Sequence, residues 1–382
     1  MSPTSETAGP KPETGYPDPR AAAPARLERA ATMFDWQADA CAQLGSPMYG
    51  DVLHRAADDI REGGPCATAV EGYEDAPGPD AIALRLAGGV HALVLTGRAP
   101  ALAAYYPSAG GSWTPADAVA CWEAFRSAVA AELPWIRDWM TRPPQTNEVG
   151  RSNALLTGLL YATAAHPLPI RLLELGSSAG LNLRADAFRY TSAGFAWGPE
   201  NSPVVLADAW QGPPPRWLAD AATAHPSLRV VERRGCDVTP IDPRSDAGAL
   251  ALRAYVWPDQ TARHERLRGA LALAGRIPAQ VQRRGAADFL AEVAPQPGTL
   301  TVVWHSVMRQ YVPKDEWAAV ERELERLATA STPDAPFAYV SLEPRRVGTG
   351  RPFVVAARLG TAPERFLAKA APHGLPAEEW RT

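Results

Sequence analysis

At 382 residues the chain is long enough for a sizeable core and points to one large domain with an appendage, or to two domains. An apolar content of 46% and a net charge of −4 suit a globular protein and give no basic footprint, which disfavours a nucleic-acid partner. No leader-like or membrane-length apolar run occurs, and the scattered Cys41, Cys66, Cys121 and Cys236 form no metal or disulfide pattern, so a cytoplasmic protein without membrane association or bound metal is expected.

Residues 1–25 are Pro, Ser, Thr and charge with almost no large apolar side chains, the composition of a disordered tail. From Leu27 apolar residues recur at three- and four-residue spacing. Ala81–Thr96 reads as a helix, and Thr114-Pro115-Ala116-Asp117 has an N-cap followed by proline at the first helical position. Residues 26–150 are therefore expected to be a helical N-terminal domain that closes after Pro143-Pro144.

A polar stretch, Thr146-Asn147-Glu148-Val149-Gly150-Arg151-Ser152, then enters an apolar helix. Arg151 either pairs with Glu148 at the surface or grips a carboxylate with its planar donor fork. Next comes Ile170–Leu183, IRLLELGSSAGLNL: a buried strand, a turn of small residues and a helix start, the opening of a βα unit in a parallel sheet. The turn Gly176-Ser177-Ser178-Ala179-Gly180 lets a ligand approach the backbone, and the following helix would aim free N–H groups at it. Its spacing, Glu174-x-Gly176-x-x-x-Gly180, differs from the Gly-x-Gly-x-x-Gly of dinucleotide sites, which weakens a dehydrogenase reading.

Phe195–Trp197 and Val204–Leu206 read as short strands of a hairpin inserted near 190–210. The strand around Leu228–Glu232 leads to Asp237, placed either to take ribose hydroxyls or to cap a helix or pair with Arg233 or Arg234. Residues 245–275 are helical with a break at Tyr255-Val256-Trp257-Pro258-Asp259-Gln260. There Pro258 and Asp259 restart a helix, or Trp257, Asp259 and Gln260 line a pocket, since an aromatic face attracts a sulfonium cation. Arg284-Gly285-Ala286-Ala287-Asp288-Phe289-Leu290 follows a short strand. Thr299–Trp304, TLTVVW, is the strongest strand in the chain and runs into His305-Ser306-Val307-Met308-Arg309-Gln310-Tyr311. Polar groups just past a central strand are where such sheets place their chemistry. His305 there is either a structural histidine or a general base. An amphipathic helix over 314–330 and strands over 337–342 and 353–359, the last antiparallel, complete the pattern.

The order of glycine turn, acidic strand end, Gly-Ala-Ala-Asp-Phe-Leu, apolar strand with polar end, helix and antiparallel return resembles class I S-adenosyl-L-methionine (SAM) methyltransferases over about 170–360. Most of the chain also resembles an uncharacterised bacterial family known only as a domain of unknown function. The first resemblance implies a Rossmann-like α/β sheet with an antiparallel closing strand over 151–382, joined to the helical domain. It implies SAM as cofactor, with Glu174, Gly176, Ser177, Ser178, Gly180, Asp237, Asp288 and Phe289 as its contacts. It further implies methyl transfer to a small-molecule acceptor, with His305 and Tyr311 catalytic and Arg151, Trp257, Asp259 and Gln310 on the acceptor. The long insertion before Asp237 and the lack of an Asn/Asp-Pro-Pro-Tyr motif depart from common members, and the latter argues against nucleic-acid or protein amide nitrogen as acceptor. Aminocarboxypropyl transfer or cyclisation of SAM, and an inactive scaffold, are the alternative expectations. Oligomeric state stays open.

Overall fold

The structure, a computed structural model, describes residues 24–381; positions 1–23 of the expected tail lie outside the described residues. The chain divides into two compact units, one taking the chain up to Pro144 together with Trp257–Gln260, the other Gln145–Val256 with Thr261–Thr382.

The first unit is helical, as its three- and four-residue spacing dictates. Its longer helices span Pro24–Gln43, Pro47–Arg61, Ile82–Leu95 and Ala118–Ala131. Their apolar stripes bury Phe34, Tyr49, Leu53, Leu86 and Phe125 in one core. Proline opens Pro47–Arg61 and Pro65–Val70, where its missing N–H costs no intrahelical bond. The Thr114–Asp117 capping box forms. Trp257 joins this core. Asp259 accepts from the Ser46 hydroxyl at 2.6 Å and the Met48 amide at 3.2 Å, fixing the start of Pro47–Arg61. Both residues are therefore tied into the helical unit.

The second unit is mixed α/β with a mostly parallel central sheet. Its strands are β1 (Ile170–Leu175), β2 (Arg189–Ser192), β3 (Phe195–Trp197), β4 (Val205–Leu206), β5 (Val230–Asp237), β6 (Gln280–Arg283), β7 (Leu300–Ser306), β8 (Phe337–Pro344), β9 (Phe353–Leu359), β10 (Arg365–Ala370) and β11 (Ala377–Glu379). The main sheet runs β11-β10-β9-β8-β7-β1-β5-β6. Strands β6, β5, β1, β7 and β8 are parallel, and β9, β10 and β11 follow as an antiparallel meander. The chain leaves β1 toward β5 and later returns to its other side at β7, so the carboxyl end of β1 is a switch point, the crevice where open α/β sheets bind ligands.

Four details differ from expectation. The insertion is a small sheet, β3-β2-β4, rather than a hairpin. Leu181–Ala187 is a 3₁₀ helix, non-helical at Arg184, rather than a regular α-helix. Strands β10 and β11 extend the antiparallel part. The unit begins at Gln145, so the polar entrance stretch belongs wholly to it.

Alternation along the strands sorts side chains onto two faces. Leu172, Val302, Trp304 and Val340 share one core with the helix Ser152–Ala165, while Leu173, Val303, Phe337 and Tyr339 share another with the helix Lys314–Thr329. Packing on the first face is close: a Cβ on Gly158 would lie 2.3 Å from Val340 Cγ1. Gly158→Ala is accordingly expected to lower stability by about 1–3 kcal/mol, read from a urea titration. An unchanged midpoint would show that this helix shifts freely on the sheet.

Candidate functional site

The carboxyl ends of β1, β5 and β7 converge on the glycine turn. Gly176 and Gly180 have φ of 62° and 64°, and Ser178 also lies in the left-handed region at 52°, so the turn needs residues without bulk. A Cβ on Gly176 would come within 3.1–3.3 Å of the Met308 side chain, and one on Gly180 within 2.7 Å of Val281. Four amides of the turn and helix start are already used. Ser177 N donates to Cys236 O and Gly180 N to Ser177 O. Ser178 N donates to Asp237 Oδ2 at 2.8 Å and Leu181 N to Asn147 Oδ1 at 2.7 Å. Four of the N–H groups expected to stay open there are thus occupied, which leaves a poorer cradle for a pyrophosphate.

Under the turn lies Glu174, 3% exposed. Its Oε1 accepts from Trp304 Nε1 at 2.9 Å, and its Oε2 is buried without a hydrogen-bond partner. Burial pushes this carboxyl up to about 8, against the opposing pull of the Trp304 N–H, the Arg184 guanidinium and, more weakly, the nearby Asn182 side chain. A buried, half-satisfied carboxylate is costly unless something supplies the missing donor or positive charge.

Asp237 is half-buried, and its two oxygens hold the Ser178 and Thr239 amides. Each oxygen keeps a further lone pair. Ser177 is fully buried, and its hydroxyl ties Glu174 O to Cys236 O. Phe289 is likewise a core residue, with the Arg234 guanidinium over its ring. Asp288 is exposed in the first turn of Ala286–Ala291, just beyond β6.

The entrance stretch locks this turn in place. Gln145 joins Thr239 and Ser178, Asn147 caps Leu181, and Asn182 bridges Ser152 Oγ and Glu148 O. Glu148 pairs with Arg263, Nη2 to Oε2 at 2.6 Å, and not with Arg151. Burial works against the Glu148 carboxylate, but Arg263, His373 and the Gly150 amide hold it down at about 2. Arg151 is half-buried, and among the described residues it is anchored through Nε to Pro372 O at 3.1 Å. Burial lowers its guanidinium, Glu148 opposes, and Arg263 adds to the lowering. Arg266 has a buried Nε without a partner. His373 is driven to about 4 by burial and by Arg263. Three guanidiniums thus surround one carboxylate, an excess of positive charge that suits an anion.

His305 sits on the opposite face of the sheet from Glu174, 1% exposed. Its Nδ1 donates to Glu343 Oε1 at 2.9 Å, since a carboxylate only accepts, and its Nε2 meets the Tyr339 hydroxyl at 2.6 Å. Glu343 also accepts from the Met308 and Arg309 amides. Val307, at φ 51°, turns the chain so that these amides face one oxygen, and a β-branched residue in that region carries strain of the kind found at functional sites. Burial raises the Glu343 carboxyl, but the His305 N–H and the two amides outweigh it and hold it below its usual range. Tyr311 is 63% exposed, and Gln310 is exposed beside it; neither touches His305. The partners Tyr339 and Glu343 were not singled out from the sequence, where only the β7–β8 register would have revealed them.

Among the described residues no cluster of His, Cys, Asp and Glu suits a metal ion, and no helix is long and apolar enough to cross a membrane. No curated protein and no solved structure matches the chain. A family model does, over residues 31–380. The chain accordingly belongs to the family of uncharacterized proteins conserved in bacteria, DUF2332.

Proposed function

We propose that the protein is a SAM-dependent methyltransferase acting on a small-molecule acceptor, and that its second unit has the class I methyltransferase arrangement. The observation that carries this reading is the buried, unpartnered Glu174 Oε2 beneath a small-residue turn at the switch point of a parallel sheet. An ammonium group would satisfy that oxygen, and the positive cluster around Arg151 suits a carboxylate, so the two match the two ends of an amino acid. The occupied turn amides disfavour a pyrophosphate and hence a dinucleotide. The run β6-β5-β1-β7-β8 with an antiparallel return is consistent with the same reading.

In this reading Glu174 holds the amino group of SAM and Arg151 its carboxylate. Asp237 receives the ribose through its remaining lone pairs, and Asp288 borders the adenine. When bound, SAM supplies a methyl group already activated on a sulfonium, so the protein's part is chiefly positioning. His305, oriented by Glu343, is the base, addressed through the Tyr339 hydroxyl. Tyr311 and Gln310 on the exposed corner contact the acceptor.

Calorimetric titration with SAM and with S-adenosylhomocysteine tests this. Micromolar binding is expected, and it should be lost in Gly176→Val, which puts a β-branched side chain at positive φ against Met308. His305→Ala should bind normally and lose turnover. Methylthioadenosine as product would replace methyl transfer by aminocarboxypropyl chemistry, and no binding to either ligand would overturn the reading in favour of a scaffold.

A further inference from the structure

On the face of the sheet away from Glu174, a cavity of about 250 Å³ opens between β7, β8, β9 and the helix Lys314–Thr329. A water occupies about 30 Å³, and a dry cavity of about 150 Å³ accepts benzene. Pockets for drug-sized ligands begin near about 300 Å³. The space thus suits one substituted ring.

Its walls are flat and aromatic. His305 meets Trp317 edge-on with centroids 5.2 Å apart and lies 5.6 Å from the Tyr339 ring. Its rim carries three arginines and three glutamates, not all of them closely paired. Arg358 is paired with Glu325 at 2.7 Å. Arg309 lies 5.1 Å over the Trp317 ring and reaches Glu321 only at 3.5 Å, both side chains about half exposed. Arg345 gives Nη2 to Glu364 at 2.8 Å, but its Nε is buried without an acceptor. The donors left over at the rim therefore call for an acceptor-rich group, and a carboxylate matches two guanidiniums best. Deeper in, the Glu343–His305–Tyr339 chain ends in a phenol oxygen at the cavity wall. Burial pushes that phenol well above its usual range, so it stays a neutral hydroxyl. It can exchange a hydrogen bond with a ligand hydroxyl, with His305 taking or giving the other.

We propose that this cavity is a binding site for a small aromatic carboxylate bearing a ring hydroxyl, the carboxylate held by Arg309 and Arg345 and the hydroxyl by Tyr339 backed by His305 and Glu343. The site shares the Glu343–His305–Tyr339 relay with the base of the methyl-donor reading, but none of its residues belongs to the glycine turn or the Arg151 cluster, so ligand binding measured without SAM stands or falls apart from SAM binding.

The test is ligand-observed NMR and calorimetry on the full chain without SAM, using 4-hydroxybenzoate, benzoate and benzylamine as probes. 4-Hydroxybenzoate should bind saturably, benzoate several-fold more weakly, and benzylamine not at all. Arg345→Gln should weaken both acids by about tenfold or more, the scale of a charge-assisted hydrogen bond. Tyr339→Phe should leave benzoate unchanged and erase the advantage of the hydroxylated acid. Thermal melts of both variants confirm that they fold, and the benzoate affinity of Tyr339→Phe serves as a second check on the cavity. No saturable binding of either acid, binding indifferent to both variants, or a preference for benzylamine would overturn the proposal.

Discussion

Glu174→Gln is expected to melt higher than the parent protein in alkaline buffer while losing at least an order of magnitude of the SAM affinity proposed above. The buried Glu174 carboxyl is raised to about 8, whereas it titrates near the ordinary carboxylate value once unfolded. Between those values the folded state holds the extra proton, so stability falls as pH rises through that window. Above it the penalty is fully developed, on the order of a few kcal/mol at the usual exchange of about 1.4 kcal/mol per unit. Glutamine keeps an acceptor for Trp304 Nε1 and removes the charge. The gain should be roughly 5 °C or more at about pH 9 and shrink toward nothing near pH 5. Melting scans across that range check the point. A difference that did not grow with pH would sink the claim that this carboxylate is held against its surroundings. A variant that is stronger as a fold and weaker as a binder is the signature of a group retained for a ligand.

Arg263→Ala should be the most damaging single change in the second unit, costing about 3–5 kcal/mol because it strands the buried Glu148 carboxylate. Glu148 sits at about 2 in the folded protein, below its unfolded value. Its contribution is therefore present above the unfolded value and lost as pH falls through the folded one. In Arg263→Ala that acid-side loss should flatten. Adding Glu148→Gln should restore much of the stability, since the uncompensated charge is then gone. Urea unfolding of the single and double variants measures this as a cycle. If the double variant were as weak as the single, the cost would lie in lost packing by the arginine stem and not in the charge.

Strands β1 and β7 and the glycine turn were legible because continuous apolar runs closed by small or polar residues have few other solutions. The helical N-terminal part was legible for the same reason at a different period. The parts that matter most for chemistry were less so. In a strand buried on both faces, inward and outward residues are equally apolar, so FAYVSLEP does not reveal that Tyr339 and Glu343 share a face with His305. Likewise the lone oxygen of Glu174 is visible only once Trp304 is known to stand beside it. The entrance stretch around Asn147 drew notice for its polarity, yet its tie to the glycine turn depends on residues more than thirty positions away. The ties of Trp257 and Asp259 to the helical unit are not legible either, because their partners lie more than a hundred positions away. Strands β10 and β11 carry little alternation and were passed over.

The return of Trp257–Gln260 to the helical unit has a consequence for how the protein is made. The carboxylate that secures Ser46 and Met48 is translated only after more than a hundred residues of the other unit have been added. At ordinary ribosomal speed that is a delay on the order of ten seconds. During it the helical segment exists without one of its core tryptophans and without the clasp on its second long helix. Birth order therefore couples the two halves: the first to be synthesised is completed only by a segment of its own that emerges from within the second's sequence, and an early stop codon anywhere before Trp257 would leave both unfinished.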